Sequence, residues 1–406
     1  MKILFQINSV VNSGSTGRIV EGIGNHAIFD GWESYIAYGR WAYKSNSKLI
    51  RIGKGIDIHF HLLQTRLFDR HGLSSMRATH NLVKRIQEIK PDIIHLHNIH
   101  GYYLNYKILF SFLSQINIPV VWTLHDCWAF TGHCAFYSFV NCNKWKSSCE
   151  KCLLKRKYPE SLLFDRSKKN YEDKSKAFNS VQNSNLFLVP VSYWLQAELK
   201  HSFLSLYPTE VIHNGIDIEV FKPTLVNKKQ YGNFDNKFII LGVASFWTKR
   251  KGLQDFVKLS KRILLDTVIV LVGVTKEQQS LLPDNIISFT RTENVKQLVD
   301  LYSMADVFVN PTWEDNYPTT NLEALACGTP VITYNTGGSI ESVTQDTGFI
   351  VPQGDIEALL FAVNSVKKCT KSFYEGKCRK YALQHFNYKD RYNDYINLYQ
   401  RLLAKK

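Results

Sequence analysis

The sequence predicts an α/β protein made of two doubly wound parallel sheets, and three observations carry that prediction. Short β-branched apolar runs recur along the chain, separated by stretches with apolar residues at helical spacing. These runs fall into two successive sets, with Asn214-Gly215 breaking the chain between them. A length of 406 residues gives room for two domains at roughly 100–200 residues each.

In the first set, residues 2–8, 34–38, 92–98, 119–125 and 186–192 read as buried strands. The second set comprises 238–245, 267–273, 285–289, 306–310, 329–334 and 348–351. Val295, Leu298, Val299 and Tyr302 lie at helical spacing between two of these runs. Tyr392, Tyr395, Ile396, Tyr399, Leu402 and Leu403 form one face of a closing C-terminal helix. The expected division is 1–214, 215–385 and a terminal segment 386–406.

Composition narrows the class. Hydrophobic residues are 45% and charged residues 21%, which excludes a disordered, collagen-like or coiled-coil chain. Lys and Arg number 50 against 35 Asp and Glu, a formal +15, which favours phosphorylated small molecules, nucleic acid or an anionic membrane face as partner. No apolar run approaches the roughly 18–20 residues that span a bilayer. Ile3-Leu4-Phe5 gives way at once to Gln6 and Asn8, so the start reads as a strand rather than a signal peptide. A cytoplasmic protein with its eight cysteines largely reduced is expected.

Candidate site residues lie where strands end. After the first strand, Gly14-Ser15-Thr16-Gly17-Arg18 leads into a helix; such glycines let amides approach an anion, and Arg18 adds charge. Lys249-Arg250-Lys251-Gly252 follows a strand of the second set, where a doubly wound sheet binds ligands, and three adjacent cations suit a diphosphate. The stretch 311–332 carries Glu314 and Asp315 in a polar loop, Thr319 and Thr320 at a helix start, and Glu323 in the helix body. Carboxylates pair well with vicinal hydroxyls, so Asp315 and Glu323 suit a sugar or ribose. His125-Asp126 ends another strand, and His95 and His97 read as polar residues lining a cleft.

The stretch 311–332, together with Val211-Ile212-His213-Asn214-Gly215-Ile216-Asp217 and Gly337-Gly338-Ser339-Ile340-Glu341, resembles the retaining glycosyltransferases of family 4. The resemblance implies the GT-B fold: two Rossmann-like domains facing each other across a cleft, with the C-terminal helix returning to the first. It implies transfer of a sugar from a UDP- or GDP-sugar to a hydroxyl of a glycan, as in bacterial capsule, exopolysaccharide and lipopolysaccharide assembly, where the acceptor is lipid-linked. Glu323 matches the second acid of a Glu-x7-Glu motif that holds the ribose. Asp315 matches the first, one methylene shorter, which faces the donor sugar with the backbone of Asn316 and Tyr317 and with Thr319 beside it. Lys251-Gly252 matches a Lys-Gly pair at the diphosphate, but Ser245 stands where an Arg is usual, so Arg250 or Lys249 is expected to supply part of the missing charge. His125 is expected to face the donor sugar, and Gly14, Thr16, Gly17 and Arg18 to close over it. No cofactor is required for such a step, because the cations replace magnesium.

Cys134, Cys142, Cys149 and Cys152 lie within nineteen residues. Cys149-x2-Cys152 has metal-ligand spacing, and four thiolates would complete a structural zinc site; free thiols are the alternative. Two other functions stay open: a nucleotide-sugar epimerase on the same fold, and a basic nucleic-acid-binding protein, although no RNA-binding motif interleaves the cations with aromatics. The charge itself is concentrated. Residues 40–90 hold 11 basic against 3 acidic side chains, and 144–176 hold 11 against 5, so peripheral contact of the first domain with anionic lipid is expected.

Overall fold

The structure, a computed structural model, describes residues 1–405 apart from 233 and 235. It resolves into two compact units, Met1–His213 with Tyr392–Lys406, and Asn214–Arg391. The expected terminal segment 386–406, whose last residue lies outside the described residues, is thus divided. Its first residues stay with the second unit because Ile216 and Asn387 form a β-bridge, with Ile216 N–H donating to the Phe386 carbonyl at 2.8 Å and Tyr388 N–H to the Ile216 carbonyl at 3.0 Å. Gly215 permits that approach: a Cβ there would lie 2.4 Å from Tyr388 Cα.

Unit 1 holds β1 (Ile3–Asn8), β2 (Glu33–Tyr38), β3 (Lys48–Arg51), β4 (Ile93–Leu96), β5 (Val120–Leu124) and β6 (Leu186–Pro190), in the order 3-2-1-4-5-6. Unit 2 holds β7 (Phe238–Val243), β8 (Thr267–Val272), β9 (Ile286–Phe289), β10 (Val307–Asn310), β11 (Val331–Tyr334) and β12 (Gly348–Val351), in the order 12-11-10-7-8-9. Every ladder is parallel; Phe5 pairs with Tyr35 on one side and Ile94 on the other. The central strands are buried and largely apolar because helices cover both faces, with Gln6, Asn8, His95 and Asn310 as polar exceptions. Both units therefore repeat one winding, and the strand order reverses between β1 and β4 and between β7 and β10. Loops leaving those strand ends open the crevice where such sheets place ligands.

The sequence reading missed β3. Its four residues, Lys-Leu-Ile-Arg, form a largely exposed edge strand with no buried alternation to betray it. The last helix, Tyr388–Ala404, returns to unit 1 and is fixed there by hydroxyls. Thr123 Oγ1 donates to the Tyr395 hydroxyl at 3.0 Å, and the Tyr399 hydroxyl meets His95 Nδ1 at 2.6 Å, both buried. Among the described residues no helix is long and apolar enough to cross a membrane.

Candidate active site

In unit 2 the turn after β7 and the loop after β10 are built as one piece. Lys249–Lys251 form a single 3-10 turn that ends on Gly252 at φ +80°. A Cβ on Gly252 would lie 2.1 Å from the Pro311 carbonyl oxygen, so only glycine lets the two backbones touch. Trp313 N–H donates to the Arg250 carbonyl at 2.7 Å, and Arg250 Nη1 donates to the Glu314 carbonyl at 2.5 Å. The Arg250 guanidinium thus braces the loop, a role its expected charge on a diphosphate did not include.

Lys251 Nζ forms an ion pair with Asp315 Oδ2. Burial alone would raise the Asp315 carboxyl; the charges of Lys251 and Arg250, the Lys251 hydrogen bond and the Asn316 N–H together hold it below the ordinary carboxylate range. Asn316 N–H donates to Asp315 Oδ1 at 2.9 Å, so this amide orients the acid beside it. Gly337 presses against the same residue: a Cβ there would lie 2.0 Å from the Asp315 carbonyl oxygen, at φ +51°. Tyr317 is buried and its carbonyl oxygen lies 3.5 Å from Asn214 Nδ2. Thr319 opens the helix Thr319–Ala326, whose N-cap is Pro318, and is half-buried. Glu323, in that helix, accepts from the Tyr302 hydroxyl at 2.9 Å. The structure therefore brings Lys251, Asp315, Asn316, Tyr317 and the Gly337-Gly338 turn to one edge of one sheet.

A buried polar network beneath this edge escaped the sequence reading. Asn310 Nδ2 donates to Asn321 Oδ1 at 2.8 Å, and Asn321 Nδ2 donates to the Ser339 carbonyl at 3.2 Å and Ser342 Oγ at 3.0 Å. Thr333 Oγ1 bonds both the Asn310 carbonyl at 3.1 Å and Ser339 Oγ at 2.7 Å. It ties β10, β11, the helix and the Gly337–Ser342 turn into one unit. The available signal was a polar residue inside each otherwise apolar strand, Asn310 in Val-Phe-Val-Asn and Thr333 in Val-Ile-Thr-Tyr.

At the matching edge of unit 1, His125 Nε2 lies 3.3 Å from His97 Nδ1 with the rings stacked, and Asp126 receives the Trp128 N–H at 2.9 Å and stands 3.0 Å from His100 Nε2. Burial lowers the His125 imidazole to about 4 despite the Asp126 charge. His95 and His97 do not line an open cleft as expected: both are buried, and burial holds both far below the ordinary imidazole range. His95 bonds Thr123 Oγ1 at 2.8 Å as well as Tyr399, because a polar residue beside the last helix has partners there. Gly14 begins the helix Gly14–Phe29 at φ +61° with nothing within 4 Å of its Cβ position. Gly17 instead makes room for Val10, whose Cγ2 would be 3.0 Å from a Cβ. Thr16 is half-buried beside them and Arg18 is exposed on the same helix.

The four clustered cysteines line one small hollow with His133, Tyr137 and Trp145. Among the described residues no group of three or more His, Cys, Asp and Glu side chains is placed to hold a metal ion. Cys149 Sγ receives the Gly132 N–H at 3.2 Å.

Comparison with known proteins agrees with the two-sheet fold. The family model described as "Glycosyltransferase Family 4" matches residues 23–220, and that described as "Glycosyl transferases group 1" matches 225–384. The chain is 24% identical to the putative colanic acid biosynthesis glycosyl transferase WcaC of Escherichia coli K12, over 88% of this chain and 89% of that one. It is 25% identical to a UDP-Gal:alpha-D-GlcNAc-diphosphoundecaprenol alpha-1,3-galactosyltransferase of Escherichia coli, over 51% of this chain and 58% of that one. The Anabaena protein HepE, solved in complex with UDP-glucose, superposes with a TM-score of 0.65 at 14% identity, with all of both chains covered. None of these matches supports an epimerase.

Proposed function

Because the chain belongs to the glycosyltransferases that join a family 4 module to a group 1 module, we propose that it moves a sugar from a UDP- or GDP-sugar to a lipid-linked glycan with retention at the anomeric carbon. One observation carries the donor assignment: the Lys251–Asp315 ion pair, set by Gly252 on the Pro311 carbonyl at the point where the strand order reverses. In this reading the donor diphosphate takes over Lys251, and the Asp315 carboxylate, kept ionised by its cations, turns to the sugar hydroxyls. Glu323 receives the ribose hydroxyls. His125, neutral at pH 7, exchanges a hydrogen bond with a sugar hydroxyl on the unit 1 side.

No side-chain nucleophile is required. The leaving diphosphate takes the acceptor proton, and Lys251 stabilises the charge that develops on it. A diphosphoundecaprenol-linked sugar is the acceptor named for one relative, and a related lipid-linked glycan at the anionic face of a membrane fits the basic first unit.

The test is a binding and hydrolysis screen of nucleotide sugars. At least one UDP- or GDP-sugar should bind, Lys251→Ala should lower turnover by about 100-fold or more, and EDTA should leave turnover unchanged. Failure of every nucleotide sugar to bind, or near-normal kinetics in Lys251→Ala, would sink the assignment. Donor incubated alone and epimerised would favour the rival chemistry instead.

A further inference from the structure

The helix Gly55–Phe68 of unit 1 buries two polar side chains and exposes several apolar ones. His61 and Thr65 are fully buried, as is Asp69, which caps it, while His59 and Arg66 stand exposed on the outer face. His61 Nδ1 meets Ser75 Oγ at 2.8 Å and His61 Nε2 receives the Gly72 N–H at 3.0 Å. Asp69 Oδ1 meets His133 Nδ1 at 2.7 Å, and Asp69 Oδ2 receives the Arg166 N–H at 2.8 Å. Its apolar residues face water: Ile56 is 75% exposed, Phe60 56% and Leu63 51%. Positions 56, 60 and 63 follow helical spacing, so they form one stripe along the outer face. A helix that hydrogen-bonds polar side chains into the protein and shows an apolar stripe to solvent has its partner outside the unit.

A second apolar segment packs at the end of this helix. Phe68 stacks on Phe164 with ring centroids 5.8 Å apart, the Leu162 N–H donates to the Arg66 carbonyl at 2.7 Å, and Leu163 and Phe164 are 63% and 56% exposed. Basic residues border it. Arg70, Arg166, Lys168 and Lys169 line the groove of about 550 Å³ beside Phe68 and Phe164. Acids lie among them: Glu160 pairs with Arg66, Glu172 and Asp173 with Lys169, Asp173 also with Arg166, and Asp165 receives the Cys152 and Ser167 N–H groups.

We propose that the Gly55–Phe68 stripe and the Leu162–Phe164 loop together form a wedge that inserts into the headgroup layer of an anionic bilayer, with the surrounding Arg and Lys side chains on lipid phosphates. Aliphatic and phenyl side chains at the centre with cations at the border match the two layers of a lipid interface, apolar below and anionic above. The wedge deepens the lipid-linked-acceptor reading and rests on it for its purpose, since it would hold the enzyme where such an acceptor lies.

The full chain is sedimented with vesicles of phosphatidylcholine, with and without phosphatidylglycerol. Strong binding to the anionic vesicles and weak binding to the neutral ones is expected. The double variants Phe60→Ser with Leu63→Ser, and Leu163→Ser with Phe164→Ser, should each lower binding about tenfold while circular dichroism stays unchanged. Equal binding by the wild type to both vesicles, absence of binding to either, or full binding by both double variants would overturn the proposal. So would a concentration-dependent dimer lost in both variants, which would assign the stripe to a second copy of the chain. Donor hydrolysis in vesicle-free buffer is read in parallel. Vesicle binding without hydrolysis sinks the glycosyltransfer reading and leaves the wedge; hydrolysis without vesicle binding does the reverse.

Discussion

Units 1 and 2 are wound in the same strand order, yet they place opposite chemistry at the same sheet edge. Unit 1 puts buried imidazoles there; of the 13 histidines in the chain, His385 alone falls in unit 2. Unit 2 puts cations and a carboxylate there, with Lys251 on Asp315. The winding fixes where loops converge and says nothing about charge. Each set of loops fills its own crevice with its own residues, so one winding carries a histidine-rich edge with Asp126 in unit 1 and a Lys–Asp edge in unit 2.

Acid separates the two edges, and this is the largest effect expected. Burial lowers His61 to about 3 and His125 to about 4, and holds His71, His95 and His97 far below their ordinary 6.5. An unfolded chain protonates these rings near 6.5 while the folded one does not, so unit 1 loses stability as the pH falls from about 6.5. The loss is about 1.4 kcal/mol per histidine per pH unit at most. His133 works the other way: burial would lower it, but the Asp69 hydrogen bond and charge raise it. Asp315 contributes stability above its unfolded 3.8 that is lost only at lower pH, so the unit 2 edge should hold until about pH 4. Peptide-resolved hydrogen exchange at pH 7, 5.5 and 4.5 checks this, and simultaneous loss of protection in both units would break the contrast.

A glycine pair sharpens it next. Gly252→Ala forces a Cβ to 2.1 Å from the Pro311 carbonyl oxygen at φ +80°, so urea unfolding should show a loss of about 3 kcal/mol. Gly14→Ala at the unit 1 edge meets nothing within 4 Å and carries only the strain of φ +61°, so about 1 kcal/mol is expected there. Equal costs would mean that the unit 2 turn is no more tightly seated than the loop after β1.

Much of this contrast is legible in the sequence. Eleven of the twelve strands among the described residues announce themselves as apolar runs, and the cations at 249–251 and acids at 314–315 stand in plain view at strand ends. Their division of labour is not. Arg250 and Lys251 are neighbours of like charge, and only the fold turns one onto a backbone carbonyl and the other onto a carboxylate. His95 and His97 could not be placed from sequence either, because their partners Tyr399 and Gln6 lie more than ninety residues away in each case. The outward face of Gly55–Phe68 was hidden for a related reason. An apolar stripe reads as core by default, and the polar side chains that hold this helix inward bond to residues from several distant segments.

A single hydroxyl tests how unit 1 uses its return helix. Tyr399→Phe removes the hydroxyl from His95 Nδ1 and leaves that nitrogen buried without this partner, while Thr123 still bonds Nε2. The expected cost is about 1–2 kcal/mol, within the range for one unsatisfied buried group. The loss should fall on unit 1, where the helix docks, and leave donor binding in unit 2 unchanged. A drop in donor affinity equal to that of a site variant would mean that the helix serves the charged edge as well. Unchanged stability would mean that Tyr395 on Thr123 is enough to fix the helix.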